Sequence, residues 1–249
     1  MGFTNSPLVE YTNLSPNHSG QRRYAIDRIT PHCVVGQCTA EGLGNWFEKT
    51  STQASSNYGI DRDGRVGMYV EEKNRSWCSS NGENDNRAVT IECASDTADP
   101  FMMNAAVYRM LIKLCADICR RNGKSKLLWL GDKEKTLAYA PAADEMILTV
   151  HRWFANKACP GQWLMDRMGD LAAKVTAELG GADATPVNAP TIPVDEPALE
   201  KIHVVAKGET LWGISRQYLG AGRRYTEIKA LNGLTSNTIY PGQKLKIPA

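Results

Sequence analysis

The chain of 249 residues carries 29 basic and 27 acidic side chains, is 42% hydrophobic and 22% charged, and has a formal net charge of +2. That length suits one medium domain plus one small one, and that composition builds a core without added staples. The near-balance of charge removes any demand for a nucleic-acid partner, and no apolar run approaches the roughly 20 residues that span a bilayer, so membrane insertion is not expected.

In chain order, residues 23–29 and 34–35 look extended, with His32 between them in Ile29-Thr30-Pro31-His32-Cys33. Tyr58-Gly59-Ile60-Asp61 and Val66-Gly67-Met68-Tyr69-Val70 flank Arg62-Asp63-Gly64-Arg65, where Asp-Gly signals a hairpin turn. Residues 88–93 alternate as another strand. Pro100 is expected to open a helix whose apolar positions Tyr108, Leu111, Ile112, Cys115, Ile118 and Cys119 follow helical spacing, with Gly123 closing it. A further helix is expected over 163–179. These patterns predict an α/β mixed fold, a central mixed β-sheet flanked by helices. After it, Gly180-Gly181 and ADATPVNAPTIPVDEPAL hold Pro186, Pro190, Pro193 and Pro197 among small and acidic residues. This stretch, 180–200, reads as an extended linker between a domain over 1–179 and a module over 201–249.

The seven cysteines are Cys33, Cys38, Cys78, Cys93, Cys115, Cys119 and Cys159, an odd number that argues against a disulfide framework. Cys115 and Cys119, four apart on a helical stripe, are expected in the core. Cys33 and Cys38 are close enough to bridge, although a reduced pair is the default expectation.

Of the four histidines, His18 and His203 read as surface residues, whereas His32 and His151 pair with Cys159, eight residues beyond His151. Two imidazoles and a thiolate make a three-ligand metal set that leaves a fourth position for water or substrate, the mark of a catalytic rather than a structural site. Pro160 suits the first turn of the helix that follows, so Cys159 is expected to meet the positive end of a helix dipole. Lys157 adds charge nearby, and both favour a thiolate. A histidine beside a strand is ordinarily a hydrogen-bonded core residue, so spacing alone leaves the set open.

The segments TPHCVVG, SSNYGIDRDGRVGMYV, AVTIECAS and LTVHRWFANKACPG, taken in that order, resemble the zinc N-acetylmuramoyl-L-alanine amidases of the peptidoglycan recognition protein fold, a group that includes phage endolysins. The resemblance covers most of residues 20–178. It implies Zn2+ held by His32, His151 and Cys159, with Glu92 moving a proton, Tyr58 orienting water or bonding the oxyanion, and Lys157 stabilising charge on the carbonyl oxygen. One departure is Trp77-Cys78, where the family often has Trp-His. Residues 201–249 resemble a LysM module through His203-Val204-Val205, Lys207-Gly208-Glu209-Thr210-Leu211, Ile214, Ile228, Asn232, Ile239, Pro241-Gly242-Gln243, Leu245 and Ile247-Pro248. That likeness implies a βααβ fold that binds N-acetylglucosamine-containing glycan, with Gly208, Thr210, Leu211, Asn232 and Leu234 along the groove.

Together these resemblances imply hydrolysis of the amide between N-acetylmuramic acid and L-alanine in bacterial peptidoglycan, with the LysM module anchoring the enzyme to wall glycan. The N-terminal MGFTNSPLVEYTNLSPNHSG has no basic segment followed by an apolar one. This predicts synthesis in the cytoplasm without a signal peptide, and action at the wall after release through a membrane pore or by lysis. Two other readings are a Cys-His peptidoglycan peptidase and a non-enzymatic peptidoglycan-binding protein. Against the first, Cys159 follows its histidine closely, whereas papain-like nucleophiles come well before theirs. Against the second, the cysteine ligand, commonly lost in such proteins, is present.

Overall fold

In the computed structural model, which describes residues 3–180, 201–219, 222–234 and 236–247, the first unit begins with β1 (Val9–Thr12), β2 (His18–Gln21) and β3 (Arg28–Cys33). Then follow α1 (Ala40–Phe47), β4 (Tyr58–Ile60), β5 (Val66–Met68), β6 (Asn74–Ser76), α2 (Gly82–Arg87), β7 (Ala88–Cys93) and α3 (Ala105–Arg121). The unit ends with β8 (Lys126–Leu128), α4 (Lys133–Ala138), β9 (Glu145–Leu148), α5 (Gln162–Met165) and α6 (Met168–Glu178). A seven-stranded mixed sheet runs in the order β1-β5-β4-β7-β3-β9-β8, flanked by helices, as the sequence pattern predicts. Strands β4, β7, β3, β9 and β8 lie parallel to one another, so their C-terminal ends share one rim. In open sheets of this kind, ligands bind at that rim.

Local chemistry explains several elements. The β4–β5 hairpin closes where Gly64 takes φ +88° and the Asp61 carboxylate accepts from the amides of Asp63 and Arg65, both at 2.9 Å. Helix α3 buries Val107, Leu111, Leu114, Cys115, Ile118 and Cys119 on one stripe. It starts at Ala105 and not at Pro100, because the Asn104 side chain accepts from the Val107 amide and caps the helix there. The extended segment expected at 23–29 is a strand only from Arg28, where pairing to β7 and β9 begins, and His32 lies inside that strand. The helix expected over 163–179 is two helices, parted where Arg167 leaves the helical region at φ −109°, ψ 1°.

The chain divides into two units, Met1–Ala189 and Pro190–Ala249. The linker assigned to 180–200 lies, from residue 181 on, outside the described residues, as does Pro248. In the second unit, β10 (Lys201–Val204) pairs antiparallel with β11 (Lys244–Ile247), and α7 (Leu211–Leu219) and α8 (Tyr225–Leu231) complete the expected strand-helix-helix-strand order. Val205, Leu211, Ile214, Ile228, Leu245 and Ile247 form its core. No described helix is long and apolar enough to cross a membrane.

Candidate metal centre

Parallel pairing places His32 of β3 beside Glu92 of β7, and Glu92 beside Gly59 of β4. Residues paired in this way share a face of the sheet. Here the imidazole and the carboxylate meet at the rim, with His32 Nδ1 3.9 Å from Glu92 Oε1. His151 follows β9 in a single 3-10 turn, and its ring centroid lies 5.0 Å from that of His32. Cys159 Sγ is 3.3 Å from His32 Nδ1. One ligand atom from each of His32, His151 and Cys159 falls within 4.8 Å of the others.

A buried hydroxyl–amide network fixes the strands that carry the histidines. Thr30 and Thr149 Oγ1 atoms are 2.7 Å apart, and Asn84 of α2 donates to Thr30 and accepts from Thr149. The loop before α2 is held in turn by Asp85, whose carboxylate accepts from the amides of Cys78 and Ser79. Ser80, at φ +59°, reaches His151 Nε2 at 3.1 Å, which leaves Nδ1 as that ring's other donor atom. Asn84, Asp85 and Ser80 escaped the sequence reading, because polar residues in a Ser/Asn-rich stretch carry no signal that the first two are buried or that the exposed Ser80 meets a distant histidine. Only Asn81 ahead of α2 has a recognisable role, as its cap.

The electrostatics suit a cation. Burial, then the neighbouring His151, pushes His32 down to about 3, so its ring is neutral and able to ligate. Burial, then Lys157, lowers His151 as well. His32 Nε2 and Glu92 Oε2 are buried without a hydrogen-bond partner. Burial raises Glu92 to about 7. The thiolate expected of Cys159 is not preformed: the hydrogen bond with Cys33, and then burial, hold its thiol well above the usual range. The physical reason is local, since α5 begins only at Gln162 and spans a single turn, giving Cys159 no useful helix dipole. Deprotonation must therefore accompany metal binding. The donor set fits a divalent metal ion. Cys33 and Cys38 are free thiols.

A cleft of about 630 Å3 opens beside this group, walled by Trp46, Arg75, Trp77, Glu92, His151 and Lys157. A smaller one of about 260 Å3 adjoins His32, Cys159, Phe101 and again Trp46, Glu92, His151 and Lys157. Lys157 is exposed and borders both.

Tyr58 is not brought to the cleft. Its register partner is Ile91, one residue from Glu92, so it points to the opposite face. There it is fully buried, accepts from the Ser6 amide at 2.8 Å and donates to Glu72 Oε1 at 2.7 Å, and Glu72 is also bound by Arg121 of α3 at 2.5 Å. Tyr58→Phe is accordingly expected to leave kcat/KM within about twofold and to cost about 1–3 kcal/mol of stability, as loss of a buried hydrogen-bonding hydroxyl does. Steady-state rates and urea unfolding check this, and a large rate loss with unchanged stability would return Tyr58 to the reaction.

In the second unit, Gly208 and Thr210 are exposed, with Thr210 Oγ1 accepting from the Gly213 amide. Leu211 is 2% exposed and belongs to the core, not to a groove. The Asn232 side chain is committed to backbone: it donates to the Ile228 and Lys246 carbonyls and accepts from the Lys246 amide, tying α8 to β11. Leu234 packs partly buried against the core. His203, expected at the surface, contacts Tyr218 and Glu209, with 11% of its side chain exposed.

Two imidazoles, a thiol and a half-buried carboxylate at the C-terminal rim of a mixed sheet form a candidate metal-binding group of the kind hydrolases use. Residues 22–162 match the family model described as N-acetylmuramoyl-L-alanine amidase, and residues 203–248 match that of the LysM domain. The first match spans more than half of the chain, and the chain belongs to the N-acetylmuramoyl-L-alanine amidase family. It is 51% identical over 47 residues to the autolysin of Enterococcus faecalis, covering 19% of this chain and 6% of that protein. It is 49% identical over 45 residues to the N-acetylmuramoyl-L-alanine amidase sle1 of Staphylococcus epidermidis, covering 18% of this chain and 13% of that protein. The chain therefore spans only a small part of the length of the curated relatives it matches. A solved structure of an AmpD derivative aligns with a TM-score of 0.47 at 16% identity, over 66% of this chain and 94% of that one.

Proposed function

We propose that the protein is a zinc-dependent amidase that hydrolyses the bond between N-acetylmuramic acid and L-alanine in bacterial peptidoglycan, and that its C-terminal unit binds wall glycan. The observation that carries this reading is the convergence of His32, His151 and Cys159 within 4.8 Å, with Glu92 beside them at an open cleft. Membership of the amidase family and the LysM match support the substrate. His32, His151 and Cys159 would hold the zinc, and when bound it polarises a carbonyl and lowers the pKa of water near it.

The protein's own groups do the remainder. Glu92, partly desolvated, takes a proton from the attacking water and returns it to the alanine nitrogen as the amide C–N bond breaks. Lys157, at the edge of both cavities, places its ammonium where negative charge develops on the carbonyl oxygen. Ser80 holds the His151 ring in place. The products are a lactyl carboxylate and a free alanine amine.

The test follows new alanine amino termini in purified peptidoglycan, using native, chelator-treated and zinc-restored protein. Ends that vanish with chelator and return with zinc support the reading. Binding without new ends favours a recognition protein, and new ends at another residue point to a peptidase. The C-terminal unit acts through effective concentration, keeping a tethered catalytic unit near repeated sites. Ending the chain at residue 180 is therefore expected to lower activity on whole walls by about tenfold or more while sparing soluble muropeptides. Equal losses on both substrates would remove the anchoring role. Action at the cell wall after release from the cell follows from the same substrate.

A further inference from the structure

We propose that the cleft contains a second metal seat, His32–Cys78–Glu92, which overlaps the first through His32 and in which a thiophilic divalent cation engages the Glu92 carboxylate. One ligand atom from each of these three residues lies within 4.8 Å of the others. Cys78 Sγ is 3.7 Å from Glu92 Oε1, and that same oxygen is 3.9 Å from His32 Nδ1. Two polar atoms of this trio, His32 Nε2 and Glu92 Oε2, are buried with no hydrogen-bond partner, and the His32 side chain is only 1% exposed. Buried polar atoms are ordinarily satisfied, and Glu92 Oε2 is a buried electron-pair donor left without a partner on a carboxylate whose other oxygen meets both the Cys78 sulfur and His32 Nδ1, which points to a missing electron-pair acceptor among the three.

Thiolate, imidazole and carboxylate together make an accepted ligand set for zinc, cadmium or cobalt. Cys78 is held for the task by its backbone, since its amide donates to Asp85 at 3.1 Å, and its side chain lines the larger cleft. On binding, the Cys78 thiol releases its proton to water as the sulfur–metal bond forms, and no electrons are exchanged. Both seats require His32, so they are alternative positions for one ion. The first seat, with two imidazoles, leaves Glu92 free to move protons, whereas the second withdraws it. An ion in the second seat is therefore bound but unproductive. The inference rests on the metal reading of the cleft and not on the identity of the reaction.

The test uses the full chain and Co2+ alone as probe, reading the thiolate-to-cobalt charge-transfer absorption and the affinity. Cys159→Ser, and Cys159→Ala as a second variant, remove the thiolate of the first seat. Both are expected to keep one equivalent of Co2+ and a thiolate band, with affinity weakened by about tenfold or more. Adding Cys78→Ser abolishes the band. Adding Glu92→Gln instead keeps the band but weakens binding by about a further tenfold. A Cys159 variant with no thiolate band would overturn the second seat. So would a band that persists in the Cys78→Ser/Cys159→Ser protein, because the sulfur would then be another cysteine. Near-UV circular dichroism of each metal-free variant confirms that the comparison is between folded proteins.

Discussion

His32→Ala is expected to lower kcat/KM by about a thousandfold or more, the equivalent of about 4 kcal/mol of transition-state stabilisation. His32 is common to both candidate ligand groups in the cleft: its Nδ1 faces Cys159 Sγ at 3.3 Å, its ring neighbours His151, and it shares a register position with Glu92. No other described side chain can take that place, because the residue is in mid-sheet and 1% exposed. The expected effect on stability is different in kind. In the metal-free protein, deleting the ring leaves a small cavity but also removes a buried nitrogen without a partner, so the two costs offset. With zinc present, native protein gains stability through binding to the folded state alone, about 4 kcal/mol when zinc stands a thousandfold above its Kd, and the variant gains none. Thermal unfolding with and without zinc reads this directly. A variant that kept both its zinc-dependent Tm increase and its activity would remove His32 from the ligand set.

Glu92→Gln is expected to lower kcat by about a hundredfold to ten-thousandfold, as loss of a positioned proton carrier does, while leaving zinc binding in the first seat in place. Its pH signature in the metal-free protein separates it from a general structural effect. Burial raises Glu92 from 4.5 to about 7 in the fold. Between those values the folded state holds more protons than the unfolded chain, so this group's contribution is complete below about 4.5 and is lost as pH rises through about 7. Native metal-free protein should therefore lose stability from pH 5 to pH 8 more steeply than Glu92→Gln, and the variant should be the more stable of the two at pH 8. Urea unfolding in the presence of a chelator measures both. Parallel curves would mean that Glu92 does not carry the buried charge, and normal turnover in the variant would assign the proton transfer to another group.

These two residues illustrate how far sequence reasoning reaches. Strand 88–93 was legible from alternation, and the hairpin at 58–68 from Asp-Gly, because both signals are local and have a single conformational solution. The stripe of α3 was legible for the same reason, and its first residue was not: Pro100 suits a helix start, but the Asn104 cap is the stronger signal. The donor types of the proposed metal set were also in the sequence: spacing alone leaves His32, His151 and Cys159 open, and the family resemblance is what points them to a metal.

What only the tertiary structure decided is which face each side chain takes and what covers it. Alternation divides Tyr58 from Gly59 and Ile91 from Glu92, but it does not say which set faces the cleft. That depends on β7 lying between β4 and β3, and parallel neighbours joined by long crossovers leave no trace of their pairing in local periodicity. Hence Tyr58, next to the right motif, lies on the wrong face, and Glu92 on the right one. The state of Cys159 escaped for a related reason: a thiol's charge is set by what surrounds it in space, here Cys33 and burial, and not by the proline and lysine beside it in sequence. In the second unit, Leu211 and Asn232 match the module's pattern because they hold it together, one in the core and one between α8 and β11. The sequence by itself determined the elements and the chemistry available; the long-range packing of parallel strands determined which of those groups meet, because only contacts between distant segments fix a face, a burial and a charge state.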